Sequence, residues 1–352
     1  MHQEIQKGYF VLADISGYTG FLANNELDHS HKITSEILEL LISSLTPALE
    51  LAEVEGDALF LYAPYLRITR GETLIELIES TYIKFRNHTL GLKICDCNGC
   101  ESAMDLDLKF ICHFGEYVLQ KISGKEKPLG SDVNLSHRLL KNNVSILTGW
   151  RAYALFTEEC LTEMKMLPDG MTRCIESYEH FSKVTTFNLN LDSRYSELIG
   201  KHLAKREEKE ADEVFTMEIQ APPAIVWEWL NDFTKRNLWS TNSVWNKNLP
   251  HKGRTSVGST NQCNRGSGKF LEEILEWKPF EQFSAKYHLK PFPVIITNHL
   301  HPVNGGTNLT RKISFNSGLP RKIFKPLYKF ISRRKIKIDK QMLQMRSFIN
   351  HI

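Results

Sequence analysis

The stretch Phe10-Val11-Leu12-Ala13-Asp14-Ile15-Ser16-Gly17-Tyr18-Thr19 decides how the first half of this chain is read. Its apolar run predicts a buried strand over 9–15, and Asp14 sits where that run meets small and polar residues. A second carboxylate is placed in the same way. In Glu53-Val54-Glu55-Gly56-Asp57-Ala58-Leu59-Phe60-Leu61, Gly56-Asp57 is a turn signal between strand-like runs at 49–54 and 58–62. Two carboxylates at neighbouring strand ends suit a hard divalent cation, because Mg²⁺ takes one or two carboxylates together with substrate phosphates. Between them the sequence has room for one long helix, over 31–45.

Two further pieces follow in order. His113-Phe114-Gly115 lies between strand-like runs at 106–112 and 116–122. Gly130-Ser131-Asp132-Val133-Asn134-Leu135-Ser136-His137-Arg138 opens a helix near 133–140, on which Asn134 and Arg138, one turn apart, share a face. The four pieces together resemble the class III nucleotide cyclase domain. Asp-Ile-Ser-Gly-Tyr-Thr is similar to the family's Asp-Ile-x-Gly-Phe-Thr, and Gly56-Asp57-Ala58 to its Gly-Asp-Ala hairpin. His113-Phe114-Gly115 is similar to its His-Thr-Gly, and the last piece to its Gly-Asp-x-Val-Asn-x-x-x-Arg.

The resemblance implies a ferredoxin-like core and a nucleoside triphosphate substrate. It implies that Asp14 and Asp57 hold Mg²⁺ or Mn²⁺ with help from the Ile15 carbonyl, and that the amides around Ser16, Gly17, Tyr18 and Thr19 cradle phosphate. Asn134 would orient the ribose and Arg138 would stabilise the transferring phosphate, where negative charge builds on the oxygens. In the family the site forms between two protomers, so a homodimer is implied, with Asp14 and Asp57 facing Asn134 and Arg138 of the partner subunit. The chain departs from the family at the two base-reading positions, Glu53 and Lys127. This Glu–Lys combination fits neither the adenylyl nor the guanylyl pattern, and the two side chains are able to pair with each other. The family's terminal-phosphate lysine has no clear counterpart, Lys183 being the candidate. These departures keep a second reading open, a non-catalytic nucleotide or metal sensor on the same scaffold.

At 352 residues, with 41% hydrophobic and 24% charged residues, the chain has the length and composition of two globular domains. A net charge of +3 is too mild to imply specific nucleic-acid binding. No apolar run reaches membrane-spanning length, and Met1-His2-Gln3-Glu4 is unlike a secretion signal, so a cytoplasmic location is expected. The seven cysteines are then expected to be reduced. Cys95, Cys97 and Cys100, with Cys112 as a fourth, form an insertion at 95–112 that is a candidate structural Zn²⁺ knuckle, with His113 and His88 as alternative ligands. If the strand ending at Cys112 is regular, Cys112 and His113 face opposite ways.

The fold class expected for the whole chain is α+β. A cyclase-like domain over 8–190 is followed by a charged linker at 191–213 and a second domain over 214–352. That second domain reads as a strand from 214, a helix opening at Ala221-Pro222-Pro223, strands at 269–275, 282–289, 294–302 and 307–314, and a long helix over 321–349. Ile219-Gln220-Ala221-Pro222-Pro223-Ala224-Ile225-Val226-Trp227-Glu228-Trp229-Leu230 and Glu276-Trp277-Lys278-Pro279-Phe280 resemble the START-like helix-grip fold of polyketide cyclases and lipid-transfer proteins. The resemblance implies a small apolar ligand, and Trp227, Trp229, Trp239, Trp245, Phe283 and Tyr287 are candidate lining or core residues. A ligand carrier is therefore a third functional reading. From Arg321 to Lys340 basic residues interleave with Ile323, Phe324, Leu327, Phe330 and Ile331. Such a basic amphipathic helix is able to touch an anionic membrane, although packing in the grip fold claims the same apolar face.

Overall fold

In the computed structural model, strand β1 (Gln6–Ser16) is central and paired on both edges. The structure describes residues 4–46, 48–92, 102–122, 124–203, 211–240, 243–247, 254–265, 268–289, 293–315 and 338–350. The chain divides into two compact units, 1–201 and 202–352.

In the first unit β1 is followed by α1 (Tyr18–Asn24), α2 (Leu27–Leu45), β2 (Glu50–Glu55), β3 (Ala58–Pro64), α3 (Gly71–Gly91) and β4 (Asp107–Ile122). Helix α2 forms because Ile33, Ile37, Leu41 and Leu45 recur every four residues and bury one stripe. The sheet runs β2-β3-β1-β4, and each neighbouring pair is antiparallel. This is the ferredoxin-like strand–helix–strand–strand–helix–strand core expected from the sequence. Strand β5 (Lys125–Leu129) folds back on β4, and helices α4 (Ser131–Arg138) and α5 (Val144–Thr148) follow. Next come β6 (Tyr153–Thr157), α6 (Glu158–Glu163), β7 (Thr172–Glu176) and β8 (Val184–Asn190), which extend the sheet beyond β4 in the order β6-β8-β7.

Side chains alternate along a strand, so β1 sends Phe10, Leu12 and Asp14 to one face. Phe10 and Leu12 pack there with Phe60, Tyr62, Ile111 and the α4 residues Val133 and Leu135. The two strands expected at 106–112 and 116–122 are one continuous strand. Gly115 is not a break in it. It leaves space for Asp132, whose carboxylate would lie 2.3 Å from a Cβ at that position. Asp132 accepts a hydrogen bond from the Glu116 amide at 2.7 Å and lies 3.7 Å from His113 Nε2. His113 in turn contacts Thr157 Oγ1 at 2.8 Å through Nδ1. Contact with His113, chiefly, holds the Asp132 carboxyl below the usual aspartate range, against the effect of partial burial. The His-Phe-Gly and Gly-Ser-Asp pieces therefore share one structural task, seating α4 on β4.

The segment after Asn190, expected to begin the linker, opens with helix α7 (Leu191–Leu203), which is fastened to α3. Arg194 Nε lies 2.8 Å from Glu79, and Tyr195 donates to Asn87 Oδ1 at 3.1 Å. The Tyr82 hydroxyl lies 2.9 Å from an oxygen of Asp107 and 2.8 Å from one of Asp192. Helix α7 thus packs on the first unit, and 204–210 lie outside the described residues.

The second unit opens with β9 (Glu213–Ile219), α8 (Pro223–Asn231) and α9 (Phe233–Trp239). Its strands are β10 (Val244–Lys247), β11 (Thr260–Arg265), β12 (Gly268–Lys278), β13 (Gln282–Tyr287), β14 (Val294–Val303) and β15 (Gly306–Phe315). They form one antiparallel sheet, β10-β11-β12-β13-β14-β15-β9, and helix α10 (Ile338–Ile349) follows. β10 and β11 were not expected. Trp227, Trp229, Trp239, Trp245, Phe283 and Tyr287 all belong to the buried core, joined by Met342, Met345 and Ile349 of α10. The basic stretch at 321–337 lies outside the described residues.

Gly115→Ala is expected to destabilise the first unit by about 1–3 kcal/mol, since the added methyl must displace Asp132. Gly91→Ala, where a Cβ meets nothing within 4 Å, is the control expected to change little. Urea midpoints for the two variants check this, together with hydrogen exchange at the α4 amides.

Candidate functional site

The turn between β2 and β3 has two residues, and Gly56 takes the left-handed conformation it requires (φ 66°). This brings Asp57 beside the end of β1, where the Ile15 amide donates to the Asp57 carbonyl at 3.4 Å. Asp14 pairs across β1 and β4 with Lys109, whose Nζ lies 2.8 Å from the carboxylate with both side chains about four-fifths buried (22% and 18% exposed). Partial burial, and then the nearby Asp14 charge, push the Asp57 carboxyl above its ordinary range, while Lys109 acts in the opposite direction. Asp14, Ile15 and Asp57 are thus brought together as expected. Lys109 was not foreseen, because its place depends on the β1–β4 register.

Of the expected phosphate-cradle residues, Ser16 donates through its hydroxyl to the Arg151 carbonyl at 3.1 Å. Gly17 caps α1 at φ 89°, a backbone conformation that other residues rarely adopt, and a Cβ there would lie 2.9 Å from the Arg151 guanidinium. Tyr18 and Thr19 open α1. Glu53 and Lys127 pair with each other at 2.7 Å, which links β2 to β5. Asn134 and Arg138 are exposed on α4, and neither side chain has a partner among the described residues. The neighbouring His137 turns the other way, toward Glu55 at 3.6 Å and the Phe60 ring at 4.6 Å. Lys183 lies just before β8.

Cys95, Cys97 and Cys100 lie outside the described residues. Cys112 is fully buried in β4, back to back with His113, and burial raises its thiol well above the ordinary range. Among the described residues no cluster of three or more His, Cys, Asp or Glu is placed to hold a metal ion.

The second unit carries a buried polar stripe that sequence reasoning missed. Arg236 of α9 binds Glu272 of β12 through two bonds, at 2.8 and 3.0 Å, and donates to the Tyr287 hydroxyl at 3.1 Å. Asn261 also donates to Glu272, at 2.9 Å, and the Arg236 guanidinium lies 3.5 Å from the centre of the Trp245 ring. Burial opposes both charges, but their mutual attraction outweighs it, raising Arg236 and lowering Glu272. Arg311 on β15 is 7% exposed and donates through Nε to Asn298 at 2.7 Å. Burial, helped by the Arg236 charge and opposed by Tyr287 and Glu272, lowers it to about 10. The sequence signal was the period of two in Leu309-Thr310-Arg311-Lys312-Ile313, which puts Arg311 on the same face as the buried Leu309 and Ile313.

Fold and site together define a class: an α+β chain in which a ferredoxin-like domain with paired carboxylates precedes a helix-grip domain. Residues 34–147 match the family described as a protein of unknown function (DUF2652). Residues 214–339 match polyketide cyclase / dehydrase and lipid transport. The chain is 33% identical over 167 residues to the uncharacterized protein Rv2561/Rv2562 of Mycobacterium tuberculosis, covering 45% of this chain and 73% of that protein. The chain belongs to the family of this mycobacterial protein. Among solved structures, the adenylyl cyclase CyaB from P. aeruginosa is similar with a TM-score of 0.40 and 13% identity, covering 53% of this chain and 95% of that one. Protein MLL2253 from Mesorhizobium loti is similar with a TM-score of 0.32 and 17% identity, over 40% of this chain and 96% of that one.

Because the Asp57 carboxyl is raised, the fold favours its neutral form. That contribution to stability is complete below the ordinary aspartate range and is lost as pH rises through the raised value. Asp57→Asn is expected to flatten this slope and to be at least as stable as the parent chain at neutral pH. Lys109→Met is expected to cost about 1–3 kcal/mol at neutral pH, by leaving Asp14 without its cation. Urea unfolding of the three chains at acidic and neutral pH measures both effects.

Proposed function

We propose that the first unit is a metal-dependent nucleotide cyclase and that the second unit sets its output by binding a small apolar ligand. The observation that carries this reading is the charge balance at the end of β1. Asp14 and Asp57 lie close enough for one to raise the other, and among the described residues one lysine, Lys109, faces the pair. Two ionised carboxylates and one ammonium leave a deficit of positive charge that a divalent cation fits. Asp14 and Asp57 would hold Mg²⁺ or Mn²⁺, with the Ile15 carbonyl alongside. When bound, the metal supplies Lewis acidity toward the ribose hydroxyl and neutralises the triphosphate.

The remaining roles belong to this chain's own residues. Lys109 has three donors, so it is able to stay on Asp14 and still reach a phosphate oxygen. The amides around Ser16, Gly17, Tyr18 and Thr19 would cradle the phosphates. Asn134 and Arg138 point to solvent without partners among the described residues, which suits a site completed by a second copy. In the reaction the ribose 3′-hydroxyl would lose its proton to solvent water as its oxygen bonds to the α-phosphorus, the bond to the leaving pyrophosphate would break, and Arg138 would stabilise the charge that builds on the phosphate oxygens.

One observation favours the sensor reading instead. Glu53 and Lys127 occupy each other, so neither is free to read a base without breaking the pair. With 43% and 30% exposure, the pair contributes about 0–1 kcal/mol, and a bound base is able to replace it.

The test is to incubate the full chain with Mn²⁺ and each of ATP, GTP, CTP and UTP, and to measure cyclic product and pyrophosphate. A cyclic product is expected from at least one. Asp57→Ala is expected to abolish it, and Arg138→Ala to lower kcat by about 100- to 1,000-fold. Nucleotide binding without pyrophosphate release from a verified dimer would replace the cyclase reading with the sensor reading. If the second unit regulates, removing residues 211–352 is expected to leave turnover without ligand response.

A further inference from the structure

Resting on the reading that the second unit takes an apolar ligand, we infer that this ligand carries a carboxylate, which Arg311 binds on the inner face of the grip sheet. The face is identified by the strand period. Leu309, Arg311 and Ile313 on β15 are buried together, as are Ile296, Asn298 and Leu300 on β14 and Phe283, Ala285 and Tyr287 on β13. On this face Glu272 is the buried carboxylate, and Arg236 and Asn261 already engage it with three hydrogen bonds. Arg311 has Asn298 as its hydrogen-bond partner, a neutral amide oxygen that receives only the Nε proton. The terminal nitrogens of Arg311 have no hydrogen-bond partner among the described residues, and no carboxylate pairs with it.

Arg236 and Glu272 therefore neutralise each other, and Glu213 lies on the same face only at its end, opposite Ile313, so Arg311 is the cation left between the apolar Leu309 and Ile313 without a carboxylate hydrogen-bonded to it among the described residues. A buried guanidinium without an anion is costly, and a fork of free donors matches a carboxylate in geometry as well as in sign. Apolar neighbours on both sides of Arg311 suit a ligand whose body is hydrophobic and whose one charged group lies at the middle of β15. Tyr287 and Asn298 border the same place and limit where that group sits.

The test compares an acid with its alcohol on the same skeleton, using purified, delipidated full-length chain and intrinsic tryptophan fluorescence. Dodecanoate against dodecanol probes an aliphatic body, and naphthoate against naphthylmethanol an aromatic one. On whichever skeleton binds, the acid is expected to bind about ten- to a hundredfold more tightly. Arg311→Met is expected to remove that preference by weakening the acid and sparing the alcohol, and Arg311→Lys to keep most of it. Equal affinity for acid and alcohol in the parent chain would overturn the carboxylate and leave the apolar-ligand reading standing. The same holds if acid preference survives in Arg311→Met. Failure of all four probes to bind would overturn both. The parent-chain comparison decides the matter even if Arg311→Met does not fold.

Discussion

The first unit depends on the register between β1 and β4. Eleven residue pairs run without a bulge from Gln6 opposite Tyr117 to Ser16 opposite Asp107. That register sets Asp14 opposite Lys109 at one end and Phe10 opposite His113 in the middle. A slip of one residue would turn each of these side chains to the other face, taking Asp14 from its lysine and His113 from Asp132. The apolar neighbours on β1 make such a slip expensive, since both faces of the strand are buried from Gly8 to Ala13. The polar residues at the site inherit their precision from packing they do not contribute to.

Much of this was legible in the sequence, and the limits have physical causes. Asp14 and Asp57 could be read because each is local: an apolar run ends, or a glycine turn begins, within a few residues of the carboxylate. The Glu53–Lys127 pairing could be read only through a resemblance, because the residues meet across separate strands. Lys109 gave no local signal at all, since a cross-strand partner is chosen by register. Gly115 looked like a break because glycine usually marks a turn. Here it is extended, and its lack of a side chain serves Asp132, which lies seventeen positions later in sequence. β10 and β11 were missed because Asn246-Lys247 and Thr260-Asn261-Gln262 lack the strong alternation that marks a half-buried strand.

Charge is placed differently at the two candidate sites. The first sets a largely buried Asp14–Lys109 pair beside groups near solvent, such as Glu53–Lys127, that exchange partners at little cost. The second places two arginines and one glutamate among tryptophans and branched aliphatics, where an exchange of partners is expensive.

The Tyr82 hydroxyl between Asp107 and Asp192 carries one more consequence. A phenol has a single hydrogen to give, yet both carboxyl oxygens lie within bonding distance of it. If both contacts are hydrogen bonds, one acid must itself be the donor. Helix α3, strand β4 and the helix that leads out of the first unit are thus tied together at one phenolic oxygen, and whatever moves any one of the three is felt by the other two.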